Sequence, residues 1–487
     1  MFSSPAEKQF TEKQVKERLK KIEKIRAMGI EPYGGRFLCT HSLSQAKEQF
    51  AEGLLVKVAG RIMAFREHGK AIFLDIQDST EKIQLYIKKD NVEEKEFLLC
   101  ENLDIGDIIG TEGELFLTRK GEKTVKVRRL FLLSKSLRPL PEKWHGLKDV
   151  EIRYRRRCLD LIANPETKKT FFTRARIIRE IRRFLEERGF LEVETPMLQH
   201  LAGGARARPF ITYYNALNCN VYLRIAPELY LKRLLVGGLE KIYELNRNFR
   251  NEGISTVHNP EFTMLEVYQA YADYTDMMNL LKEMIIHLVR SIHSKETIYW
   301  AGKEIDFGGE WKKASFYTLL REKTGVDFQD RNLDLEKVLK GLGIASEEKE
   351  KGEMLNKVFD KLVRPELISP TFVLDYPAFL CPLAKRKKGD TEVSERFELF
   401  IGGQELANAY SELNDPLEQR QRFMKQGGEI DEDFLFSLEQ GMPPAGGLGL
   451  GVDRLVMLLS GHTSIREVVF FPQLKPRDDS SKGKGNL

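Results

Sequence analysis

At 487 residues the chain is too long for one ordinary hydrophobic core, so we expect two or three domains. Its 41% hydrophobic and 31% charged residues indicate a soluble globular protein and exclude overall disorder. The formal net charge of +5, from 78 Lys and Arg against 73 Asp and Glu, is nearly neutral for this length and gives only a weak indication of an anionic partner.

The cysteines are scattered along the chain and form no C-x-x-C pair, which argues against a zinc site or a disulfide framework and favours reduced thiols. The N-terminus lacks the apolar segment of a signal peptide. No stretch reaches the roughly 18 apolar residues that a membrane-spanning helix requires. The sequence therefore predicts a cytoplasmic protein with no membrane partner. The five cysteines are Cys39, Cys100, Cys158, Cys219 and Cys381.

Residues 1–54 are assigned to an N-terminal helical arm. Within it, residues 6–27 predict a helix, because Val15, Leu19, Ile22 and Arg26 fall on one helical stripe. The first 27 residues carry eight Lys and Arg against four Glu. This charge fits either a solvated face on a docking helix or a basic arm along RNA phosphates.

Residues 55–145 form the next predicted domain, in which five short β-branched or alternating runs are separated by turn-rich or charged pieces. Five strands in about 80 residues indicate a small closed barrel of the oligonucleotide-binding (OB) type, with a β-sandwich fragment as the alternative. The predicted strands cover 56–62, 71–78, 82–88, 107–118 and 124–134.

A linker is predicted at 146–165, after LRPLP (137–141), where proline fixes φ and removes backbone donors. Its RYRRR cluster (153–157) fits either a solvated charge run or an RNA or interdomain contact.

Residues 166–473 alternate helical and strand-like segments and predict one large unit. RARIIREIRRFLEERGF (174–190) predicts an amphipathic helix, and residues 310–365 predict a helical insertion. The tail at 474–487 has nothing to bury and is predicted to be disordered. The apolar stripe of the 174–190 helix is Ile177, Ile181, Phe184 and Leu185.

Three segments carry the chemical signal. The 174–190 helix runs into FLEVETPML (190–198). YELNRNFRNEGISTVHNPEFTMLEVYQAYADY (243–274) crowds hydrogen-bonding groups into a turn-rich loop between strand-like pieces, where they are expensive to bury. In GGLGLGVDRLVMLL (446–459), glycine-spaced chain leads into a helix with Arg454 one turn in, which is a weak signal alone.

Together these segments resemble the class II aminoacyl-tRNA synthetases, with 174–198 similar to motif 1, FRNE and HNPEF to motif 2, and GLGLGVDRLVML to motif 3. Further strings resemble the lysine-specific members of bacterial type, and the resemblance covers about residues 55–473. These strings are LRPLP followed by RYRRRCLDLI, GGARARPF (203–210), LRIAPELYLKRLLVGG (223–238) and IGGQELANAYSELND (401–415).

The resemblance implies a multidomain α+β protein: an N-terminal OB-fold anticodon-binding barrel, then a class II catalytic domain with a mostly antiparallel sheet flanked by helices. It implies ATP-dependent attachment of L-lysine to tRNA(Lys) through a lysyl-adenylate, with release of pyrophosphate and AMP. It also implies a homodimer in which the motif 1 helix packs against its twofold mate.

Activation of an amino acid needs positioning and charge neutralisation and no protein nucleophile. The resemblance therefore implies that Arg250 grips the α-phosphate and the substrate carboxylate, while Arg454 takes the γ-phosphate. Glu398 and Glu405 are implied ligands of Mg²⁺, with two to three ions accompanying ATP. The other implied ATP contacts are Glu252 and Asn259 near the adenine, Phe262 stacked on the base, and His258 by the terminal phosphates.

Three of these residues have ordinary structural alternatives. His258 could be a structural histidine, Phe262 a core residue and Glu398 an exposed strand residue.

Lysine selection is implied to rest on acidic groups around a long aliphatic stem. A neutral amino acid would leave such buried carboxylates unpaired, and sites of this kind discriminate by roughly 10⁴-fold or more. The implied contacts are the Gly204 backbone and Glu228 for the α-amino group, Asn408 for the carboxylate, and Glu266, Tyr268 and Glu412 for the ε-ammonium.

In the barrel, the resemblance implies that Phe73 stacks on an anticodon base while Gln84 and Glu122 contact base edges. Arg66 would add a phosphate contact. Phe65 stands where the family pattern has a basic residue, and Cys158 replaces an aromatic residue in the linker.

Three other functions fit parts of this pattern. An aspartate or asparagine class II synthetase shares the barrel-first layout but needs cationic groups at the amino-acid site. A paralogue that attaches lysine to a protein lacks the barrel. A catalytically silent RNA-binding scaffold has no need of Arg250, Arg454, Glu398 and Glu405 together.

Overall fold

The computed structural model describes residues 5–69, 71–140, 147–345, 350–427 and 429–476. The chain divides into two compact units, Met1–Lys148 and Asp149–Leu487. The tail predicted to be disordered falls mainly on residues 477–487, which lie outside the described residues, as does Pro141 of the LRPLP segment. Within the described parts, no helix combines the length and apolarity that crossing a bilayer requires.

The first unit is built on a closed five-stranded barrel with strand order β1-β2-β3-β5-β4. Four of the predicted strands are present within one residue of their expected bounds, and the first continues six residues further, to His68. Alternation in β2 and β3 places one side of each strand in the barrel interior. The strands are β1 (Leu55–His68), β2 (Ala71–Gln77), β3 (Lys82–Lys88), β4 (Ile108–Leu117) and β5 (Lys123–Ser134), and the helices are α1 (Pro5–Ala27), α2 (Leu43–Glu48) and α3 (Glu94–Cys100).

The buried stripe of α1 differs from the predicted one. Ile22 and Ile25 are buried, but Leu19 is 44% exposed, so its assignment to the stripe is wrong. Arg18 takes the buried position instead, because its guanidinium donates to the carbonyl oxygens of Ser136, Arg138 and Ile105. A long side chain with a fork of donors can therefore replace an apolar residue when backbone acceptors surround its end.

The second unit contains an eight-stranded sheet of order β14-β15-β18-β19-β20-β11-β10-β6, in which only β14–β15 and β10–β6 pair in parallel among the described strands. Its strands are β6 (Leu191–Glu192), β10 (Lys241–Phe249), β11 (Glu261–Ala270), β14 (Lys312–Ser315), β15 (Thr371–Leu374), β18 (Arg396–Ile401), β19 (Gln404–Ser411) and β20 (Ala445–Gly451). Smaller sheets contain β7 (Leu198–Gln199), β8 (Ile211–Tyr214), β9 (Cys219–Leu223), β12 (Thr297–Trp300), β13 (Lys303–Asp306), β16 (Arg386–Lys387) and β17 (Asp390–Ser394).

Helices flank this sheet, so the predicted α+β class with a mostly antiparallel sheet is confirmed. The helices are α4 (Val150–Arg155), α5 (Arg157–Ala163), α6 (Pro165–Glu186), α7 (Glu228–Val236), α8 (Tyr274–His293), α9 (Phe316–Thr324), α10 (Leu335–Gly341), α11 (Lys351–Val358), α12 (Pro416–Gln426), α13 (Glu432–Glu439), α14 (Val452–Ser460) and α15 (Ile465–Val468).

The predicted amphipathic helix is α6, which begins nine residues earlier than expected, at Pro165. Proline suits the first turn of a helix because its missing N–H would have no intrahelical acceptor there. The four residues of its predicted stripe are all buried, and they pack with α8 and α14 against one face of the large sheet.

Much of the segment predicted as a linker, 146–165, is helical and belongs to the second unit. Arg157 of its RYRRR cluster is fully buried, where it pairs with Asp160 at 2.6 Å and donates to the carbonyl oxygens of Arg466 and Phe470. Arg153 pairs with Asp160 and Glu467. These two arginines hold the second unit together, so the structure favours neither a solvated charge run nor an RNA contact for them.

Candidate active site

A row of polar positions crosses the middle of the large sheet. In the strand register Glu244 of β10 faces Glu266 of β11, Glu266 faces Gly449 of β20, Gly449 faces Asn408 of β19, and Asn408 faces Glu398 of β18. Because side chains that are paired directly across neighbouring strands point to the same face, these positions share one side of the sheet. The opposite side carries the apolar core, including Val267 and other buried residues.

The glycines of β20 form the floor of this face, a part of the sheet surface that carries no side chains. A Cβ atom at Gly447 would overlap Oε1 of Glu412 and lie 2.7 Å from Cε1 of Tyr268. One at Gly449 would lie 3.1 Å from Cε of Met264. A side chain at either position would fill the space above β20 that lies between side chains of the neighbouring strands.

Three acidic residues come together at this floor. Glu228 at the start of α7, Glu266 of β11 and Glu412 after β19 are 5%, 4% and 0% exposed. Tyr268 donates a hydrogen bond to Glu266 at 3.0 Å. Gly204, with φ of +82°, lies beside Glu228, because a Cβ there would be 3.0 Å from Cβ of Glu228.

Two partners of this acidic cluster were missed in the sequence. Lys232 is fully buried, and its Nζ lies 2.7 Å from Glu228 Oε1 and 2.5 Å from Glu412 Oε2. Tyr410 donates to Glu228 at 2.6 Å. The available signal was the i,i+4 spacing of Glu228 and Lys232 in α7.

The crowding of these carboxyl groups perturbs their ionisation. Burial raises the pKa of Glu266 to about 8, with a further contribution from the charge of Glu228. Burial also raises the pKa of Glu412 to about 8, against the lowering effect of Lys232. Oε1 of Glu412 has no hydrogen-bond partner within the described parts of the chain. Buried acids that lack enough cations are expected at a binding site for a cationic ligand.

The loop between β10 and β11 places a guanidinium beside this cluster. Burial lowers the pKa of Arg250, and the charges of Glu252, Glu405 and Glu266 oppose that effect. Arg250 lies over the ring of Phe262, at 5.0 Å from the ring centre, and its Nε is buried without a hydrogen-bond partner among the described residues. Such an unpartnered donor suits an anionic ligand.

Arg454, in the first turn of α14, lies on the other side of this region. It donates to the backbone oxygen of Glu405 at 2.6 Å and to Nε2 of His258 at 3.2 Å. The glycine-rich β20 leads directly into α14 and fixes this position. His258 also contacts the Ser255 hydroxyl through Nδ1, at 2.9 Å.

Within the same loop, Asn259 is buried and its amide is engaged inside the protein. Nδ2 donates to the backbone oxygen of Glu261 at 2.6 Å, and Oδ1 accepts from the backbone N–H of Gln473 at 3.3 Å. Glu252 is exposed. The structure therefore presents Glu252 to solvent, while Asn259 holds the shape of the loop.

Glu398 and Glu405 lie on the neighbouring strands β18 and β19, and burial together with the charge of Glu405 raises the pKa of Glu398 to about 7. Arg396 pairs with Glu398 at 2.5 Å, and Tyr376 donates to it at 2.7 Å. Among the described residues no group of three or more His, Cys, Asp or Glu is placed to hold a metal ion. Two carboxylates fit Mg²⁺ when phosphate oxygens of a ligand complete its shell.

Two further buried ion pairs hold the site elements in place, and both arginines were missed in the sequence. Arg174 of α6 pairs with Asp453 at 2.6 Å, and Asp453 accepts from the N–H of Thr263 in β11. Arg224 pairs with Glu244 at 2.6 Å. The residue after Asp453 is Arg454, so the first pair fixes the start of α14.

The barrel of the first unit carries its own polar and aromatic face. Phe73 on β2 contacts Tyr86 on β3, with ring centres 5.1 Å apart, and Gln84 accepts a hydrogen bond from Thr124. Arg66 of β1 lies opposite Phe73 in the strand register, but its guanidinium forms an ion pair with Asp75 at 2.6 Å.

The strand register brings Arg66, Phe73 and Gln84 together on the outside of the barrel, whereas Glu122 stands exposed at the β4–β5 turn. Tyr86 was missed. Phe65 is partly buried against the barrel core, which explains why an apolar residue is tolerated there.

Residues 149–475 match the family described as tRNA synthetases class II (D, K and N), and residues 56–133 match the OB-fold nucleic acid binding domain. The chain is 54% identical to a lysine–tRNA ligase of Carboxydothermus hydrogenoformans over 95% of this chain and 98% of that protein. It is 54% identical to one of Moorella thermoacetica, with the same coverage of both chains. It is 47% identical to one of Clostridium perfringens over 97% of this chain and 98% of that protein.

Proposed function

This chain belongs to the lysine–tRNA ligase family of class II tRNA synthetases, and we propose that it attaches L-lysine to tRNA(Lys) through a lysyl-adenylate, with ATP as the energy source. The proposal rests above all on the buried cluster of Glu228, Glu266 and Glu412, whose carboxyl groups outnumber the single ammonium of Lys232. An aspartate or asparagine enzyme would need cations there.

In the first step, a carboxylate oxygen of lysine attacks the α-phosphorus of ATP, and the bond to the β-phosphate oxygen breaks to release pyrophosphate. Arg250 is proposed to hold the α-phosphate and the lysine carboxylate, because its planar fork matches both and its Nε lacks a partner. Arg454 is proposed to hold the γ-phosphate, with His258 beside it. In the second step a ribose hydroxyl of tRNA attacks the lysyl carbonyl carbon, and AMP leaves.

At the nucleotide base, Phe262 is proposed to stack on the adenine and Glu252 to contact its edge. Asn259 contributes by shaping the loop, since its amide is engaged internally. Glu398 and Glu405 are proposed to hold Mg²⁺ together with the ATP phosphates, two to three ions in all. Bound Mg²⁺ would neutralise the phosphate charge that these carboxylates otherwise repel.

At the amino-acid end, Glu228 and the Gly204 backbone are proposed to bind the α-amino group, and Asn408 to help hold the carboxylate. Glu266, Tyr268 and Glu412 are proposed to surround the ε-ammonium. A buried carboxylate without a cation is costly, so a neutral amino acid would leave this part of the site unsatisfied.

The barrel, 55–145, is proposed to bind the anticodon, and the domain at 166–473 to carry out catalysis. Phe73 would stack on a base, as aromatic residues of OB barrels do with single-stranded nucleic acid. Gln84 and Glu122 would contact base edges. Arg66 would contact a phosphate after its ion pair with Asp75 breaks. We propose that the reaction takes place in the cytoplasm, where translation uses charged tRNA.

A homodimer is also part of the proposal. Large apolar side chains are exposed on α6 and on the segments after it, and exposed apolar surface of this kind commonly marks an interface. An isologous contact would cover the same patch on both copies. The residues are Phe172, Leu191, Met197, Leu198, Ile211, Tyr213, Tyr214 and Leu217.

The test is ATP–pyrophosphate exchange with each of the twenty amino acids, followed by charging of total tRNA. Exchange should be strongest with lysine, and lysine should appear on tRNA. Preference for aspartate or asparagine would overturn the amino-acid assignment. Exchange with lysine but no charging of tRNA would favour a ligase that modifies another acceptor, and no exchange at all would favour a silent scaffold.

A further inference from the structure

Lys232 is the buried cation of the acidic site. It lies on the second turn of α7, its side chain is fully buried, and its Nζ reaches Glu228 at 2.7 Å and Glu412 at 2.5 Å. The ammonium also lies 5.6 Å from the ring centre of Tyr410, which itself donates to Glu228. One ammonium therefore connects two carboxylates, Glu228 and Glu412, that are more than 180 residues apart in sequence.

A purely structural ion pair is the simpler explanation, but burying charges is a poor way to gain stability. The cost of removing both partners from water often equals or exceeds their attraction. What distinguishes Lys232 is the identity of its partners. In the proposed function, Glu228 receives the α-amino group of lysine and Glu412 receives the ε-ammonium, so the same cation touches the proposed binding groups for both ends of the substrate.

The charges of the site can be counted. Glu228, Glu266 and Glu412 supply three carboxyl groups, and Lys232 supplies one ammonium. When all three carboxyl groups are ionised, two negative charges remain, and free lysine carries two ammonium groups. Without Lys232, three buried carboxyl groups would face the same two ammonium groups, and one would have to take up a proton.

We propose that Lys232 is a positioning and specificity residue, which holds Glu228 and Glu412 in their binding geometry and sets the charge of the site to match a diamino acid. This inference rests on the proposed function. Lys232 acts through the two carboxylates and not by touching the reacting atoms.

The groups that face Glu412 come from several elements. Glu228 and Lys232 lie on α7, Glu266 and Tyr268 on β11, and Tyr410 on β19. Lys232 lowers the pKa of Glu412, while burial and Glu228 raise it. Glu244 of β10 acts more remotely, by raising the pKa of Glu266. Removing the Lys232 charge therefore raises the pKa of Glu412 further, and lysine binding should require a higher pH.

The experiment compares the Lys232→Met variant with the unaltered protein by ATP–pyrophosphate exchange. At pH 7 the KM for lysine should rise at least ten-fold, while the KM for ATP changes less than two-fold. The rise should shrink as the pH is increased to 8.5, because the carboxyl groups then ionise without the internal cation.

Lys135→Met is the matched control. Lys135 is equally buried in the first unit, between Asp104 at 2.5 Å and Asp107 at 2.6 Å. Its loss removes a comparable ion pair but should leave the lysine KM and its pH dependence unchanged. Melting temperatures of both variants separate loss of folding from loss of binding.

Two further variants keep the inference testable. Lys232→Arg retains the charge and should keep the wild-type pH dependence even if the KM rises. Lys232→Gln keeps an amide donor without the charge, so it replaces Lys232→Met if that variant does not fold, and it should show the same pH shift.

The inference is overturned if Lys232→Met or Lys232→Gln folds and binds lysine with an unchanged KM, or with an increase that is the same at every pH. If the unaltered protein fails to exchange with lysine, the proposed function fails first, and that result is seen before any variant is measured.

Discussion

Gly447 lies directly beneath the carboxylate of Glu412: a Cβ atom on Gly447 would overlap Glu412 Oε1 and come within 2.7 Å of Tyr268 Cε1. Glu412 is fully buried, and its other carboxylate oxygen pairs with Lys232. The backbone of β20 therefore fixes where this carboxylate stands.

Gly447→Ala should displace Glu412 and Tyr268 and raise the KM for lysine by about ten-fold, since a misplaced catalytic or binding group typically costs one to two orders of magnitude. The KM for ATP should change little. Exchange kinetics measure both. Gly341→Ala is the control, because a Cβ there meets open space. An unchanged lysine KM in Gly447→Ala would show that the site tolerates the shift.

Glu412→Gln should raise the lysine KM by at least about 100-fold, because losing one partner of a buried charge pair typically costs about 3–5 kcal/mol, or roughly 150- to 5,000-fold. ATP binding should stay nearly intact. Glu439→Gln, at an exposed ion pair with Arg420, serves as the control and should behave like the unaltered protein. A lysine KM that does not move in Glu412→Gln would remove this residue from the ε-ammonium site.

The KM for lysine should fall as the pH rises from 6.5 to 8.5. The pKa values of Glu266 and Glu412 are raised to about 8 in the free protein, so their protonated forms prevail at neutral pH, whereas an ammonium ligand requires their ionised forms. Lysine binding at pH 7 should accordingly release protons. Exchange rates over this pH range at saturating ATP give the lysine KM, and a value that is flat or rising with pH would contradict the assignment.

Phe73→Ala should weaken tRNA charging but spare ATP–pyrophosphate exchange, which needs no tRNA. Loss of one stacked base is worth about 1–3 kcal/mol, or roughly five- to 150-fold in the KM for tRNA. Phe131→Ala removes another aromatic pair of the same barrel, with Phe37, and is the matched control. Equal loss in the two assays for Phe73→Ala would rule out a separate anticodon role.

Glu398→Gln should increase the Mg²⁺ concentration needed for half-maximal exchange by about ten-fold, because one ligand charge is lost while phosphate oxygens and Glu405 remain. A magnesium titration at fixed ATP measures this. Glu392→Gln, at an exposed position of β17, is the control. If the magnesium requirement of Glu398→Gln is unchanged, the carboxylate serves only as the partner of Arg396 and Tyr376.

The elements that the sequence predicted well are those with a strong local period. Strands β2 and β3 of the barrel alternate buried and less buried residues over their whole length, and the stripe of α6 repeats at helical spacing. The prediction that Leu19 belongs to the buried stripe was wrong, because helical spacing does not reveal which backbone carbonyl groups surround the neighbouring Arg18.

The parts of the site that were missed depend on contacts between distant strands. Lys232 lies in LYLKRLLV at a position that is typical of a solvated helix face. Only the fold brings Glu412 to it from 180 residues further along the chain. Tyr376, which follows β15, likewise becomes a partner of Glu398 through the pairing of β15 and β18. Motif resemblance indicated the acids and arginines of the site, but the cations that balance these acids could be identified only in the folded structure.

Every second residue from Gly447 to Gly451 is a glycine, and these glycines lie on the side of β20 that faces the acidic cluster. This stretch of chain therefore presents peptide groups and hydrogen atoms to the cluster but no side chains. The floor therefore cannot be retuned by small changes in side-chain length. Any redesign for a shorter or longer diamine must instead act on the surrounding walls contributed by α7, β11 and β19.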